Sequence, residues 1–154
     1  MSADNIFAGA GVAYLAPYGT DLPTTAAETL DVAFVSLGEI SESGLASALA
    51  VSKAMVRNWA GDVVRTLVTS TEFTYTLEFL EESDAVVGLY HGATVASVHA
   101  QTEPSVVAGS SSVEVGSPDD SPMAMVIDVL DTGTDRLKRF VIPKAEITER
   151  AGQT

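Results

Sequence analysis

VRTLVTSTEFTYTLEF, Val64 to Phe79, is the stretch whose reading decides the fold. From Glu72 onward its even positions are Glu72, Thr74, Thr76 and Glu78, and its odd positions are Phe73, Tyr75, Leu77 and Phe79. Successive side chains of a strand point to opposite faces, so the segment has one apolar face and one polar, acidic face. It predicts a strand in a sheet that buries only one side, with the four odd residues directed into the core.

Around this strand the chain has the proportions of one domain. Its 154 residues are enough to bury roughly two thirds of the unfolded surface without covalent staples. An apolar fraction of 46% with only 6% aromatic residues predicts a core built from Val, Leu and Ala. The absence of cysteine removes disulfides, thiolate metal sites and thiol nucleophiles together. Eight Lys and Arg face 21 Asp and Glu, a net charge of −13, which disfavours binding to phosphate backbones through counterion release. The same sign suits a surface that nucleic acid passes without sticking. MSADNIFAGAGVAYLAP lacks a basic leader and a long apolar run, which argues against a signal peptide. No apolar run is long enough for a membrane-spanning helix.

Upstream, Ala10 to Ala16 reads as a buried strand stopped by Pro17, and YGTDLPTTAAETLD as an extended surface loop. Val32 to Leu37 reads as a second strand, ended or bent by Gly38. Glu39 to Asp62 is ambiguous, because Ala46 to Trp59 has the Ala, Leu and Met content of a helix while Leu45, Leu49, Val51, Met55 and Trp59 also alternate. Either a short helix or a long hairpin loop fits.

Downstream, Ser83 is placed to cap a helix over Asp84–His91, with Gly92 as its stop and Val86, Val87 and Tyr90 as its apolar stripe. Residues 93–122 mix short β-prone pieces with Gly, Ser, Pro and Asp. Met123 to Leu130 is a convincing strand, DTGTD at 131–135 a hairpin turn, and Arg136 to Ile142 its partner, interrupted by Pro143. Lys144 to Arg150 reads as a last edge strand, followed by a fraying C-terminus. The predicted class is mainly β, a sandwich or barrel with one short flanking helix.

The residues that carry chemistry are scattered rather than convergent. His91 and His99 lack the i, i+4 spacing of a helical metal pair, and read as a capping and a surface histidine. Gly9, Gly11 and Gly19 precede a strand, whereas a dinucleotide fingerprint lies between a strand and a helix. Asp119, Asp120, Asp128, Asp131 and Asp135 lack the spacing of a calcium loop and read as solvated turns. Glu72 and Glu78 are roughly 20 Å apart along a strand, too far to flank one glycosidic bond. No catalytic, cofactor or metal site is expected, and Trp59 fits an interface anchor as well as it fits a core residue.

Several segments, in order, resemble the major tail tube proteins of long non-contractile-tailed bacteriophages, particularly phages of actinobacteria. The matching pieces are GVAYLAPYGTDLP at Gly11 to Pro23, AFVSLGEISESGL at Ala33 to Leu45, NWAGDVVRTLVTSTEFTYTLEFLEES at Asn58 to Ser83 and FVIPKAEITER at Phe140 to Arg150. The resemblance implies a single tail tube domain over residues 1–154 that assembles into stacked hexameric rings of a siphovirus-type tail. Sheets of neighbouring subunits would join into an inner barrel that conducts double-stranded DNA without specific binding. Further partners would be the tape measure and the tail terminator or distal tail proteins, with no membrane. The protein would be built into the virion tail in the host cytoplasm. On that frame the segment 39–62 becomes a long inter-subunit loop, with Leu45, Leu49, Val51, Met55 and Trp59 as interface. Glu72, Thr74, Thr76 and Glu78 become candidates for the wall facing the lumen. The alternative from the binding class is an acidic β-sandwich adhesion or carbohydrate-binding module.

Overall fold

A computed structural model describes residues 9–92, 95–97, 111–115 and 121–151. In chain order the elements are β1 (Gly9–Pro17), β2 (Val35–Arg57), β3 (Val63–Phe79), α1 (Asp84–His91), β4 (Val95–Ser97), β5 (Ser111–Val113), β6 (Met123–Asp131) and β7 (Arg136–Ala145). The protein is mainly β with a single short helix among the described residues, as the alternation and turn signals predict. One sheet has the order β3-β2-β1-β6-β7, and β4 with β5 forms a separate two-stranded ribbon. The chain divides into two compact units, Glu42–Glu78 and the remainder.

The larger unit holds the core. Ala13 and Ala16 of β1, Leu37 and Ile40 of β2, and Ala124, Val126 and Ile127 of β6 are its buried apolar residues. β1 is central, antiparallel to β2 on one side and to β6 on the other, with Ala13 opposite both Gly38 and Ile127. Small side chains on β1 let Leu37, Val126 and Ile127 fill the space, each fully buried. Every such side chain withdrawn from water stabilises by about 1.5–3 kcal/mol.

Several local expectations are revised by tertiary context. The second strand begins at Val35 rather than Val32, because the Asp31 carboxylate accepts a hydrogen bond from Ala33 N–H at 2.8 Å and closes a turn there. Val32 is left fully exposed. Gly38 bends the strand without ending it. Its φ of +94° accompanies a shift in register, Ala13 pairing with Gly38 and Tyr14 with Ser36, so Leu37 is the extra residue of a β-bulge. Pro143 likewise lies inside β7, where the partners pass from Met125 and Ile142 to Met123 and Ala145, adding one residue on the β7 side. A proline is tolerated there because β7 is an edge strand with an irregular register. Residues 146–151 are not strand, contrary to the alternation of Ala145 and Ile147. Arg150 instead donates from Nε to the Leu89 carbonyl at 3.4 Å, tying this segment to the helix.

Purely local signals survive intact. The Ser83 side chain accepts from Val86 N–H, Asp84 sits in the first turn of α1, and Gly92 in the left-handed conformation returns its N–H to the Gly88 carbonyl. The helix lies against the β4–β5 ribbon, with Val86, Val87 and Tyr90 half-buried. At the β6–β7 turn, the Asp131 carboxylate accepts from Gly133 N–H and from the Thr134 hydroxyl. Asp128 is paired with Arg139 across the same hairpin. These two carboxylates are structural partners, and His99, Asp119 and Asp120 lie outside the described residues.

Candidate assembly surface

The smaller unit, Glu42–Glu78, is the outer length of the β2–β3 hairpin, and the reading of the 39–62 segment turns on it. Glu39 to Arg57 is strand, not helix: its Ala, Leu and Met residues are held extended by pairing with β3. Thr69 reinforces that pairing by donating its hydroxyl to the Ser52 carbonyl at 3.0 Å. Intrinsic helix preference amounts to a few tenths of a kcal/mol per residue, less than a ladder of cross-strand bonds supplies.

The connecting turn is closed by several bonds over five residues. Asn58 N–H donates to the Asp62 carbonyl at 2.9 Å, and Gly61 N–H to the Asn58 carbonyl at 3.0 Å. The Asn58 side-chain oxygen accepts from Asp62 N–H at 2.9 Å, and Arg57 Nη1 reaches the Gly61 carbonyl at 2.9 Å. This bonding leaves Trp59 at the tip, wholly exposed. An indole on a turn already fixed loses little conformational freedom when it docks.

Along the strands, side chains alternate between faces. Leu49, Val51 and Met55 share one face of β2 and are 55%, 43% and 60% exposed. Leu45, further in and beside Gly44 with φ +74°, is half-buried. Val56, Val63, Val64, Leu67, Val68 and Phe73 are exposed as well, so large apolar side chains cover the hairpin on both faces. The exposed valines of β3 escape a reading by alternation, although the unbroken pair Val63 and Val64 is a visible signal. No residue of this unit with a described side chain is fully buried.

The inner half of β3 keeps the expected two faces with less burial than alternation suggests. Tyr75, Leu77 and Phe79 are half-buried, but Phe73 is exposed, so the four do not form the core. Glu72, Thr74, Thr76 and Glu78 are exposed on the other face. Their placement on one side of one strand is geometry; nothing among them converges on a reacting centre. Among the described residues no group of three or more His, Cys, Asp or Glu is arranged to hold a metal ion. No helix among them is long and apolar enough to cross a membrane.

Among the described residues the buried core is small, the sheet ends in edge strands β3 and β7, and the hairpin exposes large apolar side chains on both faces, which is the kind of surface that association covers. The chain matches the family model described as phage tail tube protein over residues 2–152, and it belongs to that family. It is thus a structural component of the virion tail, not an enzyme, and self-association with other tail parts is the business of its class. No curated protein and no solved structure gives a match.

Proposed function

We propose that this chain is the repeating subunit of a siphovirus-type tail tube, assembling into stacked hexameric rings whose lumen conducts DNA out of the capsid. The observation that carries the reading is the exposure of Leu49, Val51, Met55, Trp59, Val64 and Val68 on a hairpin of 23- and 17-residue strands. A two-stranded ribbon is marginal in water by itself, and contiguous exposed apolar surface marks an interaction site. Copies of the same chain stacked along a tube would cover it, making 39–62 an inter-subunit arm of a single tail tube domain. Leu45, Leu49, Val51, Met55 and Trp59 are its contact residues.

The exposed face of Glu72, Thr74, Thr76 and Glu78 is proposed as lumen wall. Carboxylates presented to passing phosphates repel them, and a wall without cations has no point at which DNA stalls. In this reading assembly takes place in the host cytoplasm around a tape measure protein, and the tube ends meet terminator and distal tail proteins. Negative-stain electron microscopy of the purified chain tests it. Rings or tubes are expected, and a protein that stays monomeric at every concentration overturns the reading.

A further inference from the structure

The turn end of the hairpin differs in charge from the rest of the molecule, although Glu42, Glu72 and Glu78 bring the whole unit Glu42–Glu78 to −1. Residues 43–71 carry Lys53, Arg57 and Arg65 against Asp62 alone, a net +2, which leaves −15 on the other 125 residues. No Lys or Arg occurs at 1–52 or at 66–135. The three cations are exposed, and none forms an ion pair with a described carboxylate; Arg57 binds only the Gly61 carbonyl. By contrast Arg139 and Lys144 are paired within the chain, with Asp128 and Glu146.

The cations also share a face. Asn58 and Asp62 are bonded across the turn, so counting outward sets Arg57 against Val63, Met55 against Arg65 and Lys53 against Leu67. Residues directly opposite in a sheet lie on the same side, and every second residue along each strand joins them. One face therefore interleaves Lys53, Arg57 and Arg65 with Val51, Met55 and Leu67, while the other carries Ala50, Ser52, Ala54, Val56, Val64 and Val68 without charge.

Resting on the tube reading above, we infer that this cationic, apolar face docks on the acidic surface of a second copy of the chain, and that electrostatic attraction sets the direction of assembly. Two such faces meeting about a two-fold axis would bring like charges together, so the contact is between different patches on the two copies. Contacts of that kind generate rings or open stacks rather than closed dimers. Duplex DNA is the weaker occupant, because phosphates pressed against the aliphatic residues between the cations would lose water without gaining a partner.

The test is assembly of the purified full chain, read by sedimentation and negative stain, from low to about 1 M sodium chloride, where the screening length falls from about 10 Å at 0.1 M to about 3 Å. Assembly should weaken steadily with salt. The variant K53Q/R57Q/R65Q, all exposed positions, should keep the wild-type circular dichroism spectrum, need about tenfold more protein to assemble, and lose most of the salt response. Tubes that form equally at all salt concentrations, or a triple variant that assembles like wild type, overturn the inference and leave the tube reading standing. Failure of the wild type to assemble at any salt overturns both. Retention of the wild type on duplex DNA, lost in the triple variant while tubes form normally, assigns the face to DNA and also overturns it.

Discussion

Arg139 grips Asp128 with two parallel hydrogen bonds, Nε to Oδ1 at 2.6 Å and Nη2 to Oδ2 at 2.8 Å, across directly paired positions of β7 and β6. Its remaining nitrogen, Nη1, donates to the carbonyls of Thr25 at 3.2 Å and Glu28 at 2.7 Å. The side chains are only 8% and 14% exposed. The loop between β1 and β2 is thus anchored by one guanidinium to the far hairpin.

Replacing Arg139 by Lys keeps a charge but not the planar fork, so both the bidentate pair and the carbonyl contacts are lost. We expect Asp128→Ala to cost about 1–3 kcal/mol in urea unfolding, because it leaves a part-buried cation without its charged partner, and Arg139→Lys to cost a substantial part of that. Hydrogen exchange should quicken at 24–28 in both. The pKa of Arg139 is raised by its bond to Asp128, so this contribution is complete below the ordinary guanidinium range and is lost only as pH rises through the higher folded value. No dependence on the Arg139 proton is expected near neutrality.

Glu28 supplies the acid-sensitive element of the same loop. Its carboxylate accepts from Thr24 N–H at 2.6 Å and from the Thr24 hydroxyl at 2.9 Å, and the backbone bond first, then the hydroxyl, holds its pKa below the usual carboxylate range. A depressed folded pKa gives stability that is present above the ordinary value and fades as pH falls through the folded one. Carboxylate chemical shifts in an NMR titration should place Glu28 below an exposed glutamate, and Thr24→Ala should move it upward.

Leu37 and Val51 are both on β2 but should behave oppositely. Leu37 is fully buried and Val51 is 43% exposed. Leu37→Ala should destabilise the subunit by about 2–5 kcal/mol, from lost transfer energy and the cavity left behind. Val51→Ala should change monomer unfolding by less than about 0.5 kcal/mol and show its effect in assembly. Equal effects on unfolding would contradict this division between core and interface.

Trp59 provides its own reporter, being the sole tryptophan and wholly exposed. Its fluorescence should have a water-exposed maximum in dilute monomer and shift to the blue as the protein assembles. Trp59→Ala should leave the unfolding midpoint unchanged while raising the concentration needed for assembly. A blue-shifted spectrum in dilute monomer would contradict its exposed position at the turn.

Glu72→Lys combined with Glu78→Lys tests the wall. Both positions are exposed, so the fold and tube formation should persist. DNA ejection should be impaired, because the two substitutions place cations where passing phosphates meet carboxylates. Phage carrying the double substitution with undiminished infectivity would place this face away from the lumen.

What the amino-acid sequence alone determined was whatever depends on near neighbours. The α1 caps at Ser83 and Gly92, the β6–β7 turn at 131–135 and the two faces of the inner part of β3 need only short-range bonding and the two-residue period of a strand. Each is legible in the residues themselves. The resemblance to tail tube proteins rests likewise on short ordered motifs, and the family match over residues 2–152 bears it out. Tertiary structure decided what long-range pairing imposes. Residues 39–57 are strand despite helical composition because β3 offers them partners, and Leu37 is core through a bulge that Gly38 allows. Phe73 stays in water although its alternation matches that of the half-buried Tyr75. A period shows that a strand has two faces, but only the packing of other elements shows which face is covered and how far along. The Arg139 clamp, reaching 111 and 114 residues back along the chain, leaves no local trace, because its partners meet only once the sheet has formed.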